Sequence, residues 1–333
     1  MGATDRTQKF DYAGYFRRVR DLEGLVLSPD EVAWKETYTP PERSVEALLY
    51  LGCNVLITGH LAVEVVAVLK HLGVDFEAVG GPQFCCGIVH HTQGDVAPGK
   101  RLAAATVQKL ESYGAKTLIM WCPSCDLHFD EVVLPTVAPD FAPEITHTTQ
   151  FLADRVEELP FQYPVDARIA VHTHLGRPAQ ERDAAACLKL LGAVPGVEIV
   201  GTVASERLGY HCPTPATVEA RRVFLEERER LLEEARSLGA DTVVTMYHSC
   251  HREWCEKHTD ELGIRNYISL VAESLGCGTE DRYRDLRRAT SAPERLSRAE
   301  AQWKARDWPG ERAAEMLGKY FPAVPEEYRT DNG

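Results

Sequence analysis

The chain has 333 residues, 44% of them hydrophobic and 26% charged, with a formal net charge of −13. It is long enough for one sizeable core or two modest ones, and its acidic balance argues against nucleic acid as a partner, because phosphate binding wants clustered Lys and Arg. No stretch reaches the roughly 18 apolar residues of a direct membrane span, and the opening MGATDRTQKFDYAGYF lacks the apolar run of a secretory signal, so a cytoplasmic location is expected.

Residues 1–44 are polar and mixed, with a turn at Thr39 to Pro41. They read as an N-terminal arm with one or two short helices, packed on the body or on a partner. ALLYLGC (47–53) is a short apolar run that reads as a buried parallel strand. LAVEVVAVLKHLG (61–73) reads as a helix closed by Gly73, and VDFEAVGG (74–81) as a second strand leading into a Cys-Cys-Gly loop. GKRLAAATVQKLESYGA (99–115) is a second helix, and KTLIMW (116–121) a third strand ending in CPSC. The order then repeats: a strand at ARIAVHTH (167–174), a helix at ERDAAACLKLLG (181–192) and a strand at VEIVGTV (197–203). A loop with Gly209, Tyr210, His211 and Cys212 follows, then a long helix at 217–240 and a strand at DTVVTMY (241–247) ending in HSCH.

Cys85 and His211 are 126 positions apart, and Cys125 and Cys250 are 125 apart, a steady offset that suggests internal duplication. The expected fold is α/β, two pseudo-repeated modules with parallel sheets, and metal-binding loops at the strand carboxyl ends. The expected divisions are an arm at 1–44, a first module at 45–160, a second at 161–278 and a charged helical C-terminal tail at 279–333. Within that tail, RLSRAEAQWKARDW reads as an amphipathic helix, either solvated or a docking segment.

Ten cysteines in a reducing compartment need a reason. Cys187 sits in an apolar helical run and reads as a small buried hydrophobe, and Cys277 falls in a loop after a helix and is given no role. Cys53, Cys85, Cys86, Cys122 and Cys125 are spaced C-x31-C-C-x35-C-x2-C, each at the end of an expected strand, so one fold can gather all five. Vicinal cysteines are poor disulfide partners, which leaves metal ligation or redox work. WCPSC alone would also suit a dithiol redox site, and four of the five cysteines would suit a structural zinc.

This spacing resembles the cysteine-rich CCG domain found in the B-type subunit of heterodisulfide reductases and in related subunits of glycolate oxidase, lactate-utilisation and quinone-reductase complexes. The resemblance covers roughly residues 45 to 275. It implies a non-cubane 4Fe–4S cluster on Cys53, Cys85, Cys86, Cys122 and Cys125, with soft thiolates as its ligands. Gly87 would let the backbone approach without a Cβ clash, and Pro123 would stiffen a turn whose helix N-terminus favours thiolate at Cys125. His90 and His91 follow the vicinal pair and are candidate proton donors.

The second half departs from that family's pattern. VHTHLGR keeps His174, Leu175, Gly176 and Arg177, but Thr173 stands where the family has cysteine. The vicinal pair becomes His211-Cys212 followed by Pro213, and the Cys-x-x-Cys becomes Tyr247-His248-Ser249-Cys250, with His251 and Cys255 after it. A second non-cubane cluster is therefore not expected. The remaining readings are an inert packing module, a second metal centre of unknown type drawn from Cys212, His248, Cys250, His251 and Cys255, or a polar pocket with His174 and His211 handling protons.

The function expected from the resemblance is an iron–sulfur redox subunit of a heterodisulfide-reductase-like complex. Its partners would be a ferredoxin-like iron–sulfur subunit and a flavoprotein subunit, and its substrate a disulfide, thiol or other sulfur-containing small molecule. The alternatives are an electron-transfer subunit of a dehydrogenase or quinone-linked complex without its own substrate, and a zinc-stabilised scaffold or dithiol protein. No G-x-G-x-x-G fingerprint is present, so no dinucleotide is expected on this chain.

Overall fold

The computed structural model describes residues 10–212 and 217–322; the first nine residues, Pro213 to Ala216 and the last eleven lie outside the described residues. The expected duplication is present. Strands β1 (Ala47–Gly52), β2 (Phe76–Gly80), β3 (Thr117–Met120) and β4 (Glu144–His147) form one parallel sheet in the order β2-β1-β3-β4. Strands β5 (Ala167–His172), β6 (Val197–Val203), β7 (Thr242–Thr245) and β8 (Gly263–Asn266) form a second in the order β6-β5-β7-β8. All of β1 and β7 is buried, as expected of central strands covered on both faces by helices.

In each sheet the chain starts at an inner strand, crosses to one edge and returns to build the other side. That reversal opens a crevice at the carboxyl ends between β1 and β3, and again between β5 and β7, where an α/β fold places its chemistry.

The fourth strand of each sheet was not expected. EITH and GIRN are four-residue edge strands with polar side chains, too short and too mixed for an apolar alternation. Each runs into a helix capped by its own last residue: the His147 side chain accepts from Thr149 N–H, and the Asn266 side chain from Ile268 N–H.

The helix Gly59–His71 and the preceding turn, Asn54 onward, form a stretch long and apolar enough for a membrane span, with mean hydropathy 1.2, yet 72% of it is buried inside the protein. It packs on the second module's helix Tyr267–Ser274, and Glu64 there accepts from Ser269 Oγ at 2.6 Å. The N-terminal segment supplies the helix Tyr12–Val26, which buries Val19, Leu22, Leu25 and Val26. Lys35 beyond it hydrogen-bonds along the open edge of β2. The described residues of the C-terminal segment form four helices, Arg282–Arg288, Ala292–Arg298, Glu300–Ala305 and Gly310–Tyr320, so RLSRAEAQWKARDW is broken at Ala299 rather than continuous. They bury Tyr283, Leu286, Met316 and Leu317 and fold back on the N-terminal helix, where Arg306 donates to Leu27 C=O and Tyr320 to Asp21.

Candidate metal centre

Cys53 follows β1, Cys85 and Cys86 follow β2, and Cys122 and Cys125 follow β3, so three adjacent strand ends deliver all five thiols to one place. Each is at most 4% exposed. Cys53 Sγ lies 4.0 Å from Cys85 Sγ, and the contacts continue from Cys85 to Cys86, from Cys86 to Cys125 and from Cys125 to Cys122. The Cys85 thiol is held well below the ordinary range, first by Cys53 and Cys86 and then by Gly87 N–H, 3.4 Å from its sulfur. Cys122 is held well below it by Cys125 and, against the effect of burial, by the His248 imidazole of the second module. Cys53 and Cys125 go up, through the thiols beside them and through burial.

Two glycines make room for this arrangement. Gly52 has φ +78°, and a Cβ there would lie 2.9 Å from Cys125 Sγ. Gly87 has φ +88° and begins the short helix Ile88–Thr92; its Cβ would lie 2.3 Å from Gly99 C=O. Pro123 opens the helix Pro123–His128, whose N-cap is Cys122.

The five sulfurs form a string. Among the described residues, the two groups with three or more ligand atoms all within 4.8 Å of one another are other sets. A single zinc ion draws its four ligands into a tighter knot than this string, whereas an iron–sulfur cluster spans several metal ions and takes dispersed thiolates. The donor set is soft, buried and sulfur-only, which fits a cluster.

The second-module residues separate into different places. His174, Cys212 and Cys250 come together with His172, all four buried and with ligand atoms within 4.8 Å of one another. Cys250 is held well below the ordinary thiol range: burial opposes this, but the Cys212 thiol and the His174 and His172 imidazoles outweigh it. His248 faces Cys122 of the first set instead. His251 joins His60 and Asp281 in a third group, with Nε2 2.7 Å from Asp281 Oδ2, while His60 Nε2 is 3.2 Å from Asp281 Oδ1. Cys255 lies apart from Cys212 and Cys250 and is pushed up by burial and by the Asp281 charge.

The four candidate proton-handling histidines are also dispersed. His90 stacks on Tyr12 at 3.8 Å and helps lower Cys85. His91 meets His128 edge to face at 5.3 Å. His174 belongs to the second-module group. His211 Nε2 lies 2.9 Å from Ser124 Oγ, inside the first module's CPSC turn, and burial pushes its pKa down to about 4. Sequence reasoning did not single out His172, His60 or Asp281. The His-x-His at the end of β5 was the available signal for His172, and nothing local marks the other two.

Residues 47–130 and 172–253 each match the cysteine-rich CCG domain. Similar curated proteins include the D-type subunit of dihydromethanophenazine:CoB–CoM heterodisulfide reductase from Methanosarcina barkeri, 27% identical over 267 residues, covering 75% of this chain and 64% of that protein. The same subunit from Methanosarcina mazei is 25% identical over 268 residues, again covering 75% of this chain and 64% of its own length. The chain therefore spans a little under two thirds of these relatives. A solved hypothetical protein from Helicobacter pylori superposes with a TM-score of 0.48 at 13% identity, covering 84% of this chain and 57% of that one.

Proposed function

The chain belongs to the CCG cysteine-rich domain family and is distantly related to the D-type subunit of heterodisulfide reductase, and from that premise we propose that it is the iron–sulfur redox subunit of a heterodisulfide-reductase-like complex. The observation that carries this reading is the convergence of five buried thiols on three adjacent strand ends. Cys53, Cys85, Cys86, Cys122 and Cys125 would hold one non-cubane 4Fe–4S cluster. Such a cluster supplies reversible electron storage next to a sulfur substrate.

The chain's own residues then have distinct tasks. Gly52 and Gly87 keep side-chain atoms out of the space beside Cys125 and beneath the vicinal pair. The His248 imidazole favours thiolate at Cys122, and His90 does the same for Cys85. His211, uncharged at neutral pH, shares a hydrogen bond with Ser124 Oγ across the module boundary and so holds the CPSC turn. The substrate is a disulfide, thiol or other sulfur compound, and the partners are a ferredoxin-like subunit and a flavoprotein.

A second reading is favoured by the burial of all five first-set thiols to 4% exposure or less: an electron relay for a dehydrogenase or quinone-linked complex, which needs proximity to a partner but no contact with substrate. Iron and acid-labile sulfide measured on anaerobically purified protein test the common part. We expect about four of each per chain, lost in Cys85→Ser and in Cys122→Ser. Protein without iron sinks both readings and leaves a dithiol or zinc scaffold. Adding disulfides to the reduced protein separates the two: reoxidation supports chemistry at the site, and no response supports the relay.

A further inference from the structure

The second module carries a site of a different kind, built where the first module leaves space. Strand register aligns the two halves. Tyr50 pairs with Met120 in the first sheet and His172 with Thr245 in the second, while Cys125 and Cys250 each stand five residues beyond those partners. By that register His172 occupies the position of Tyr50, and each strand then runs on toward its own CxxC-derived sulfur. A Cβ at Gly52 would lie 2.9 Å from Cys125 Sγ. Beside the matching sulfur of the second module His174 does project a side chain, and its Nε2 lies 3.1 Å from Cys250 Sγ. The room beside the sulfur in the first module is thus filled by imidazole in the second.

What results is a compact buried cluster of four donors. His172 Nε2 is 3.4 Å from Cys212 Sγ, and His174 Nε2 is 3.8 Å from the same sulfur. Metal–nitrogen bonds of about 2.0–2.1 Å and metal–sulfur bonds of about 2.3 Å in a tetrahedron give N···S edges of roughly 3.6 Å, so these separations suit one ion. Both rings are oriented from behind. His172 Nδ1 is 3.2 Å from Val203 C=O and His174 Nδ1 is 2.9 Å from Gly209 C=O. Such carbonyl contacts hold the Nδ1–H tautomer and leave each Nε2 lone pair facing the sulfurs, the outer-shell arrangement of metal-bound histidine. Two imidazoles and two thiolates are a zinc donor set.

We propose that His172, His174, Cys212 and Cys250 bind a single zinc ion, taking the place of a second cluster. All four coordination positions are filled by protein, so the ion has no open site and acts structurally. Its effect reaches the first centre through the chain. Cys212 follows His211, which meets Ser124, and Cys250 lies two residues after His248, which faces Cys122. The ion therefore fixes the two segments that present imidazoles to the first cysteine set.

The test is metal analysis and zinc-edge X-ray absorption on the full chain purified anaerobically. About one zinc per chain, with two nitrogen and two sulfur neighbours, is the expected result. A zinc shell of four sulfurs, iron and sulfide at twice the content of one cluster, or no zinc at all would overturn the proposal. His172→Gln together with His174→Gln should remove the zinc, while Cys85→Ser should leave it in place and remove only the iron. An iron-free chain that still holds zinc on two nitrogens and two sulfurs would sink the cluster reading and keep this one. If the histidine variants do not fold, the spectrum of the unaltered chain decides alone.

Discussion

Gly52 decides what the first crevice can hold. Its left-handed φ and its contact with Cys125 leave no place for a methyl group. Gly52→Ala should fold with strain of about 1–3 kcal/mol and lose bound iron, measured as iron per chain on soluble protein. Gly87→Ala should be worse for the fold, because the atom it meets is a backbone carbonyl that cannot move aside; a lowered melting temperature in the metal-free chain checks this. Another residue-scale prediction concerns Glu64. Burial raises its pKa from 4.5 to about 7, although Ser269 Oγ and Thr279 N–H donate to it. Between those two values the folded chain keeps a proton that the unfolded chain has released, so this group makes stability fall as pH rises. Glu64→Gln can keep the Thr279 bond and donate to Ser269. Relative to the unaltered chain it should be near neutral at pH 4.5 and gain up to about 3 kcal/mol by pH 7, with no further gain above. A difference between the two denaturation midpoints that stays constant over that range would disprove the assignment.

At the scale of elements, Asp281 joins three of them. It caps the helix Arg282–Arg288 by accepting from Arg284 N–H, and it meets His60 from the helix Gly59–His71 and His251 from the helix His248–Trp254. Asp281→Ala removes a cap and leaves two buried imidazoles without their carboxylate, and should cost about 3 kcal/mol or more by urea denaturation; Asp281→Asn keeps the cap and should cost less. The sequence announces elements of this fold unevenly. The two inner strands of each half were legible because burial on both faces makes them continuous apolar runs, as in ALLYLG and TVVT, and the edge strands FEAVG and VEIVGTV because they keep apolar residues. The outer strands EITH and GIRN were not, because an edge strand needs neither length nor apolarity. The five first-set cysteines could be read as one group because each follows a strand. The second set could not: which histidine faces Cys250 depends on a register of β5 that spacing does not give, and His248, two residues from Cys250, turns to the other module instead.

For the whole molecule, the helices before the first module and after the second close over the modules they flank. The helix Tyr12–Val26 and the helices after residue 281 pack on one another, with Trp308 lying against Gly24. A chain ending at residue 278 would lose Tyr283, Leu286, Met316 and Leu317 and uncover the Asp21–Gly24 face of the first helix; with each large buried side chain contributing about 1.5–3 kcal/mol, it should be recovered mainly as aggregate, read by size-exclusion chromatography. The two modules also meet directly: Trp121 lies 6.0 Å from the Tyr267 ring, His211 reaches Ser124 and Arg252 reaches Asn54. These contacts roof the first cysteine set, whose thiols are exposed by 4% at most. The first cysteine set thus lies in a vault whose roof is the second module. On the proposed cluster reading, iron and sulfide reach thiols buried between two docked halves when those halves part, so loading would belong to a nascent or partly opened chain. A chain emptied after folding refills only as fast as its halves part.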